Sequence, residues 1–430
     1  MHLWPTRGGD GVNGRALVIG TGRIALGVAG ELLHDAGFSV TFAGRNTEIV
    51  AALHRHRRYR LRLVSYLGAD EREIDGVDAI DVHDPGFAAA VMNAYLIVTS
   101  VGAGSLADVA ELLAAPLRRR DRPVDILAFE NHLSPGDVLR AALNANDPDG
   151  LLRTRVGCAG ALVARAVSQV ESVGLDGFLT VTGEPVRDVI VDARALVGPL
   201  TRVDGLHAVA QFAAYVERKL FVFSAGHATA AYLGQLKGYR FVHAAVRDIE
   251  IRRAVLEAMR EGQHGIATRY GTSFAAYAGL PSQPNAQPNT DSSLDPVSAE
   301  RALEAILDRF ANASLGDPVA RVGRDPRRKL ASDDRLFGAA ALAGRAGVAP
   351  RGLVLAAAAA LCFHGVGGDP SASSLQRCVD RDGVSSTLVS QCGLPKDGFL
   401  VRAVTDSWLR LTSGGRPRSA LLSIDQQLWA

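Results

Sequence analysis

The chain has little sulfur, almost no net charge and no long apolar run, and each shortage removes a class of protein. Its four cysteines, Cys158, Cys362, Cys378 and Cys392, are scattered over 430 residues without a CxxC pair. Neither a disulfide framework nor a cysteine metal site is expected, and reduced thiols fit a cytoplasmic protein. With 47 Lys and Arg against 45 Asp and Glu, the formal charge is +2, which gives no reason to expect a nucleic acid or an anionic membrane as partner. The opening stretch MHLWPTRGGDGVNG lacks the apolar core of a signal peptide, and no later run reaches transmembrane length without interruption. The expectation is a soluble protein with a short, frayed leader.

What is present points to an enzyme of two domains. At 430 residues the chain exceeds the usual size of a single core. Apolar residues make up 47% of it and glycine 45 positions, a composition suited to an α/β protein. Residues 16–20 (ALVIG) form a short apolar run that ends in GTGRIA, and a helical pattern follows from Ile24 to Gly37. Strand, glycine turn and helix in that order are what a dinucleotide fold requires. Gly20 permits the tight turn, Gly22 lets the backbone approach a pyrophosphate, and Arg23 and Ile24 open a helix whose free N–H groups face the phosphates.

The second strand, residues 38–42 (FSVTF), is followed by Gly44, Arg45 and Asn46, where an NAD-preferring enzyme would place an acid against the adenosine ribose. Arg45 offers a charged fork for a 2′-phosphate and Asn46 an amide, so the sequence favours NADP(H) over NAD(H). Two further buried strands, at 95–100 and 124–130, deliver Ser100, Val101 and Gly102, and then Asn131, to the edge where such sheets bind ligands. Asn131 is suited to polarising a carbonyl oxygen, or equally to a turn or helix cap. The basic run HRHRRYRLR at 54–62 precedes Asp70, Glu71, Glu73 and Asp75 and reads as a solvated face.

From about Leu206 the pattern is helical, over 206–223, 228–236, 241–261, 297–311 and 337–363, with a Pro-rich loop at 279–298. The predicted boundary puts a dinucleotide-binding domain at 1–204 and a mainly helical substrate domain at 205–430. The stretch ERKLFVFSAGHATAAYLG, 217–234, sets Lys219, Ser224 and His227 in an apolar setting. An α-helix would put Ser224 and His227 on one face with Lys219 about a turn and a half behind. Burial would pull the lysine toward neutrality, as proton transfer between alcohol and carbonyl demands; a snorkelling lysine and a satisfied core histidine are the alternative. Farther on, Arg324, Arg327, Arg328, Lys329 and Arg335 could clamp a phosphate or carboxylate, or pair with Asp325, Asp333 and Asp334.

Together GTGRIALG, FENHLSPGDVL, VGCAGALVARAV, GEPVRDVIVD, YVERKLFVFSAGHATAAYLGQLKGY and RFANASLGDPVARVGRDPRRKLASDDRL resemble the mannitol dehydrogenase family of long-chain polyol dehydrogenases, most closely its mannitol-1-phosphate 5-dehydrogenase branch. The resemblance implies a Rossmann-type doubly wound N-terminal sheet, a mainly α-helical C-terminal domain, no metal, a monomer or weak homodimer, and hydride transfer between nicotinamide and a secondary alcohol or ketone. It implies Lys219 as general acid/base, Asn131 holding the reacting oxygen, His227 touching the substrate, and Arg165, Arg328 and Lys329 near it. Ser224 stands where the family has asparagine. Gly160 and Ala164 replace an asparagine and an aspartate, Arg23 and Leu26 replace Asn and Arg, and Gly44-Arg45 replaces the usual acid.

The resulting expectation is an NADP(H)-dependent oxidoreductase acting on a sugar, polyol or sugar phosphate, with Lys219 moving the proton and Asn131 and Ser224 holding the oxygen. Altered substrate contacts leave room for an internal-redox dehydratase or epimerase with tightly held cofactor. A non-catalytic NADP(H) sensor is the rival from another class, and a ketopantoate-reductase-like enzyme shares the two-domain plan.

Overall fold

The computed structural model describes residues 14–65, 68–171, 178–198, 203–271, 296–365 and 368–413. They fall into two compact units, one ending at Ala213 and the other beginning at Ala214. The Pro-rich stretch read as a loop lies almost entirely outside the described residues.

The first unit is built on an eight-stranded sheet. Its strands are β1 (Arg15–Ile19), β2 (Ser39–Gly44), β5 (Asp78–Asp81), β6 (Leu96–Thr99), β7 (Val124–Ala128), β8 (Val156–Val163), β11 (Val189–Asp192) and β12 (Leu206–Val209). The spatial order is β12-β11-β8-β7-β6-β1-β2-β5. All neighbours run parallel except β11 against β8. β1, β6 and β7 are apolar at nearly every position because helices cover both faces: Ala16 and Val18 join one core, Leu17 and Ile19 the other. The chain leaves β1 for β2 on one side and reaches β6 on the other. A crevice therefore opens at the C-terminal ends of β1 and β6.

A smaller sheet, β4 (Gly68–Asp75), β3 (Arg58–Ser65), β10 (Thr180–Gly183) and β9 (Val167–Glu171), completes this unit. The basic run begins at the end of the helix Thr47–His56 and continues, from Arg58, on β3 opposite the acidic β4, with Arg58 3.0 Å from Glu73 and Arg62 3.8 Å from Glu71. Cross-strand pairing is what becomes of that charge.

Three helical expectations change. The run read as one helix over 241–261 is two, Val242–Ala245 and Ile249–Tyr270, because the chain turns at 246–248 and Asp248 caps a new start. Residues 206–209 are strand β12, paired in parallel with β11, and the helix begins only at Phe212. The long pattern over 337–363 is two helices, Phe337–Arg345 and Arg351–Leu361, divided where Gly347 takes φ +77° and Pro350 follows. The other regular elements among the described residues of the second unit are helices, the longest of them Ile249–Tyr270, capped by Asp248. Among the described residues no helix is long and apolar enough to cross a membrane.

Candidate active site

The crevice at the end of β1 is a cleft of about 880 Å³ lined by Gly20, Thr21, Gly22, Arg45, Asn46 and Ser100, with Val101 beside them. Gly20 has φ +121°, and a Cβ there would lie 2.2 Å from the Ser100 carbonyl oxygen, so β1 and β6 close together only around glycine. At Gly22 a Cβ would meet nothing within 4 Å: the space above the turn is open, as a diphosphate cradle requires. Arg23 and Ile24 open the following helix; Arg23 reaches the Ser168 carbonyl, 3.2 Å away. These features fit a dinucleotide. At the end of β2 a Cβ on Gly44 would lie 2.5 Å from Thr21 Cγ2, which keeps a side chain off that position. Arg45 is exposed in the cleft, and Asn46 caps the helix Thr47–His56 by accepting from the Ile49 N–H.

Glu130 escaped the sequence reading. It is 7% exposed at the end of β7, and its carboxylate accepts from the N–H groups of Val101, at 2.9 Å, and Gly102, at 2.7 Å. The loop leaving β6 is thereby tied to the loop leaving β7, beside exposed Asn131. Burial raises its pKa against the pull of those N–H bonds. An acid closing the apolar strand VDILAF was the signal available.

In the second unit, Lys219 to Ser224 is not α-helical. The six residues form a π segment within a helix that runs on to Leu236, with the Ala225 N–H reaching back to the Leu220 carbonyl. Closing on the fifth residue brings positions 219 and 224 toward one face, where an α-helix would set them apart. Lys219 is half-buried and Ser224 buried. Burial, then the charges of Arg335 and Arg309, push the Lys219 amine down to about 8, and no hydrogen bond or carboxylate partner to it is seen among the described residues.

One turn on, His227 stacks on Phe310 with 4.7 Å between centroids, and its Nε2 lies 3.1 Å from Asp317 Oδ2. Asp317, also missed in the sequence, pairs with Arg321 as well. Burial opposes ionisation of Asp317, yet His227 and Arg321 hold its pKa below the usual value.

The basic cluster divides. Arg328 pairs with Asp325 at 3.0 Å and stays exposed, while buried Arg335 pairs with Asp334 at 2.6 Å. Lys329 is 6% exposed, donates to the Arg324 carbonyl, and is pushed down to about 7 by burial and then by Arg335 and Arg328. Asp325 adopts φ +58°, a conformation uncommon outside glycine, just before the short helix Pro326–Lys329.

With this geometry in view, two family models match the chain: the mannitol dehydrogenase Rossmann domain over residues 14–205 and the mannitol dehydrogenase C-terminal domain over 211–280. The chain belongs to the mannitol dehydrogenase family. It is thereby a member of a family of oxidoreductases. Among its relatives, mannitol-1-phosphate 5-dehydrogenase of Geobacillus thermodenitrificans is 31% identical, covering 92% of this chain and 99% of the relative. That of Thermoanaerobacter pseudethanolicus is 28% identical, covering 94% and 100%. Pseudomonas fluorescens mannitol 2-dehydrogenase, solved with NAD and D-mannitol, shares the fold at TM-score 0.73 and 18% identity, with 95% and 94% of the chains covered.

One departure from the mannitol dehydrogenase pattern, Gly160, and one retained residue, Arg165, can be placed in the first unit. A Cβ on Gly160 would lie 2.7 Å from the Phe212 ring, so this position has no room for a side chain. Arg165, expected near substrate, has its side chain 1% exposed and engaged within the first unit: Nη1 lies 2.6 Å from Glu31 Oε2, and Nε donates to the Val186 carbonyl. The buried Glu31 carboxylate needs that counter-charge. Of the expected residues, Lys219, Ser224 and His227 share one helix in the second unit, and Asn131 stands in the first.

Proposed function

We propose that this protein interconverts a secondary alcohol and a ketone of a polyol or sugar phosphate, with NADP(H) as the preferred redox partner and Lys219 as the group that moves the proton. The observation that carries the reading is Lys219 itself: an amine on a π segment, without a carboxylate, poised near neutrality between two arginines. A neutral amine accepts the alcohol proton, and the same ammonium returns it to a ketone. Arginine in that place could do neither.

Gly20, Gly22, Arg23 and Ile24 would hold the dinucleotide's phosphates, with Ser100, Val101, Gly102 and Asn131 farther along the same sheet edge. The cofactor supplies or accepts the hydride when bound. Preference for the 2′-phosphate rests on Arg45, together with Gly44, where Thr21 leaves no room for an acid. Asn131 and Ser224 would hold the reacting oxygen, His227 would orient the substrate, and Arg328 and Lys329 would face its polar end. The mannitol-1-phosphate 5-dehydrogenase relatives support a phosphorylated substrate.

The test is Lys219→Ala, assayed with mannitol 1-phosphate and fructose 6-phosphate against both NADP(H) and NAD(H). Turnover should fall by about 100-fold or more, with cofactor affinity nearly unchanged. Near-normal turnover in the variant would remove the reading.

A further inference from the structure

π segments are rare because a straight α-helix packs and hydrogen-bonds better, so a persistent one needs support from its surroundings. The chain has two. In the first, Ala25–Gly30, the Leu26 carbonyl is met by the buried Tyr59 hydroxyl at 2.6 Å. The second, Lys219–Ser224, carries the proposed proton-transfer lysine and is met differently.

The helix Ile249–Tyr270 crosses it at Gly262, where a Cβ would lie 2.0 Å from the Phe221 carbonyl oxygen and 2.9 Å from its carbon. These are backbone atoms and cannot swing aside. On another side a Cβ on Gly338 would lie 2.9 Å from the Phe221 ring and 2.8 Å from the Asp333 carbonyl oxygen. The crossing helix is itself fixed. Glu261, beside Gly262, is 2% exposed and accepts from the N–H groups of Gly352 and Leu353 at 2.6 and 2.9 Å, which pins it to the start of the helix Arg351–Leu361.

We infer that Gly262 and Gly338 are positioning residues for catalysis: they form the seat that accommodates the widened turn at Phe221, and the widened turn sets where the Lys219 amine stands. Any side chain at 262 pushes Phe221 outward and drives the segment toward another register. The lysine then leaves the corner where Arg335 and Arg309 are the charged groups facing it. This rests on Lys219 being the proton-transfer group, and it goes further by saying what holds that group in place.

The chain has only four lysines, Lys219, Lys237, Lys329 and Lys396, so their titration can be followed without knowing the substrate. The experiment is competitive acetylation with acetic anhydride across pH, read by mass spectrometry of the Lys219 peptide, with exposed Lys396 as internal reference. Wild-type Lys219 should give a half-point near 8. In Gly262→Ala it should move toward the ordinary lysine value of about 10.4, and turnover of mannitol 1-phosphate should fall about 100-fold with cofactor affinity kept.

Gly338→Ala, which presses on a ring able to tilt, should give a smaller shift in the same direction and carries the test if Gly262→Ala does not fold. Gly344→Ala, on an open surface of the helix Phe337–Arg345, should change nothing. Folded 262 and 338 variants whose Lys219 titrates as in the wild type would overturn the inference, as would a wild-type half-point already at the ordinary value. Retained turnover in Lys219→Ala would instead count against the lysine mechanism, and the acetylation shift would still decide whether the seat exists.

Discussion

His227 Nε2 lies 3.1 Å from Asp317 Oδ2, while the imidazole stacks on Phe310. The carboxylate holds the ring's orientation: with Nε2–H donating to Asp317, Nδ1 would be left to meet a hydroxyl of the proposed substrate. Asp317→Asn should lower kcat/KM by about 10- to 100-fold, the equivalent of one charge-assisted hydrogen bond, and leave the cofactor dissociation constant unchanged. Because the folded Asp317 pKa is lowered, its contribution to stability is present above the ordinary carboxylate value and lost as pH falls through the folded value. The variant's melting temperature should therefore depend less on pH on the acid side; an unchanged kcat/KM would mean that Asp317 does not act through His227.

With Lys219 as the proposed proton-transfer group, an amine lowered to about 8 would give the two reaction directions opposite pH dependences. Alcohol oxidation should rise as pH increases through about 8, because the neutral amine is the base, and ketone reduction should fall over the same range. Stability has its own sign. Between about 8 and the ordinary lysine value the unfolded chain holds a proton that the folded chain does not, so stability rises with pH across that window. Lys219→Met should be inactive and should melt higher at pH 7 than the wild type, as expected of a residue kept for chemistry at a cost in stability. A lower melting temperature would contradict the unfavourable burial of this amine.

Arg45 stands exposed in the dinucleotide cleft. Arg45→Ala should weaken NADP(H) binding by about 10- to 100-fold and leave NAD(H) within about twofold, since a charged hydrogen-bonding contact to one phosphate is lost. Fluorescence titration with the two reduced cofactors checks this. Equal losses for both would show that Arg45 does not read the 2′-phosphate.

Burial raises the Glu261 pKa to about 8 despite the two N–H groups it caps. With the folded value raised, its stability contribution is fully present below the unfolded value of about 4.3 and is lost as pH rises through about 8. Glu261→Gln should flatten the melting temperature between pH 5 and 8, on the order of the ordinary titration range. Glu261→Ala, which leaves both donors unsatisfied, should cost about 1–3 kcal/mol below the ordinary carboxylate value, a cost that shrinks as pH rises. A parallel pH profile for Glu261→Gln and wild type would assign the pH dependence to another group.

Much of the first unit was legible because local signals carry it. The apolar runs at 16–20, 95–100 and 124–130 are central parallel strands, and Gly20 and Gly22 stand at the turn where the chemistry of a diphosphate puts glycine. The reading failed at 206–209, where a short Leu-His-Ala-Val run was absorbed into a following helix. Nothing local marks such a run as a strand until β11 offers it hydrogen-bonding partners. The long helix over 337–363 failed for the complementary reason: its apolar pattern continues through a turn that Gly347 and Pro350 make.

By itself, then, the sequence determined the class of the fold, the place of the dinucleotide turn and the segment that carries Lys219, because hydrophobic periodicity, glycine and residue chemistry act over neighbouring positions. Tertiary structure decided how those groups are presented. Asp317 reaches His227 from 90 positions away in sequence, Arg165 is taken by Glu31, and Glu130 joins two loops. The π turn at Lys219 is the sharpest case: helix propensity over KLFVFS favours no extra residue per turn, and the turn lies where Gly262 and Gly338 approach Phe221 closely.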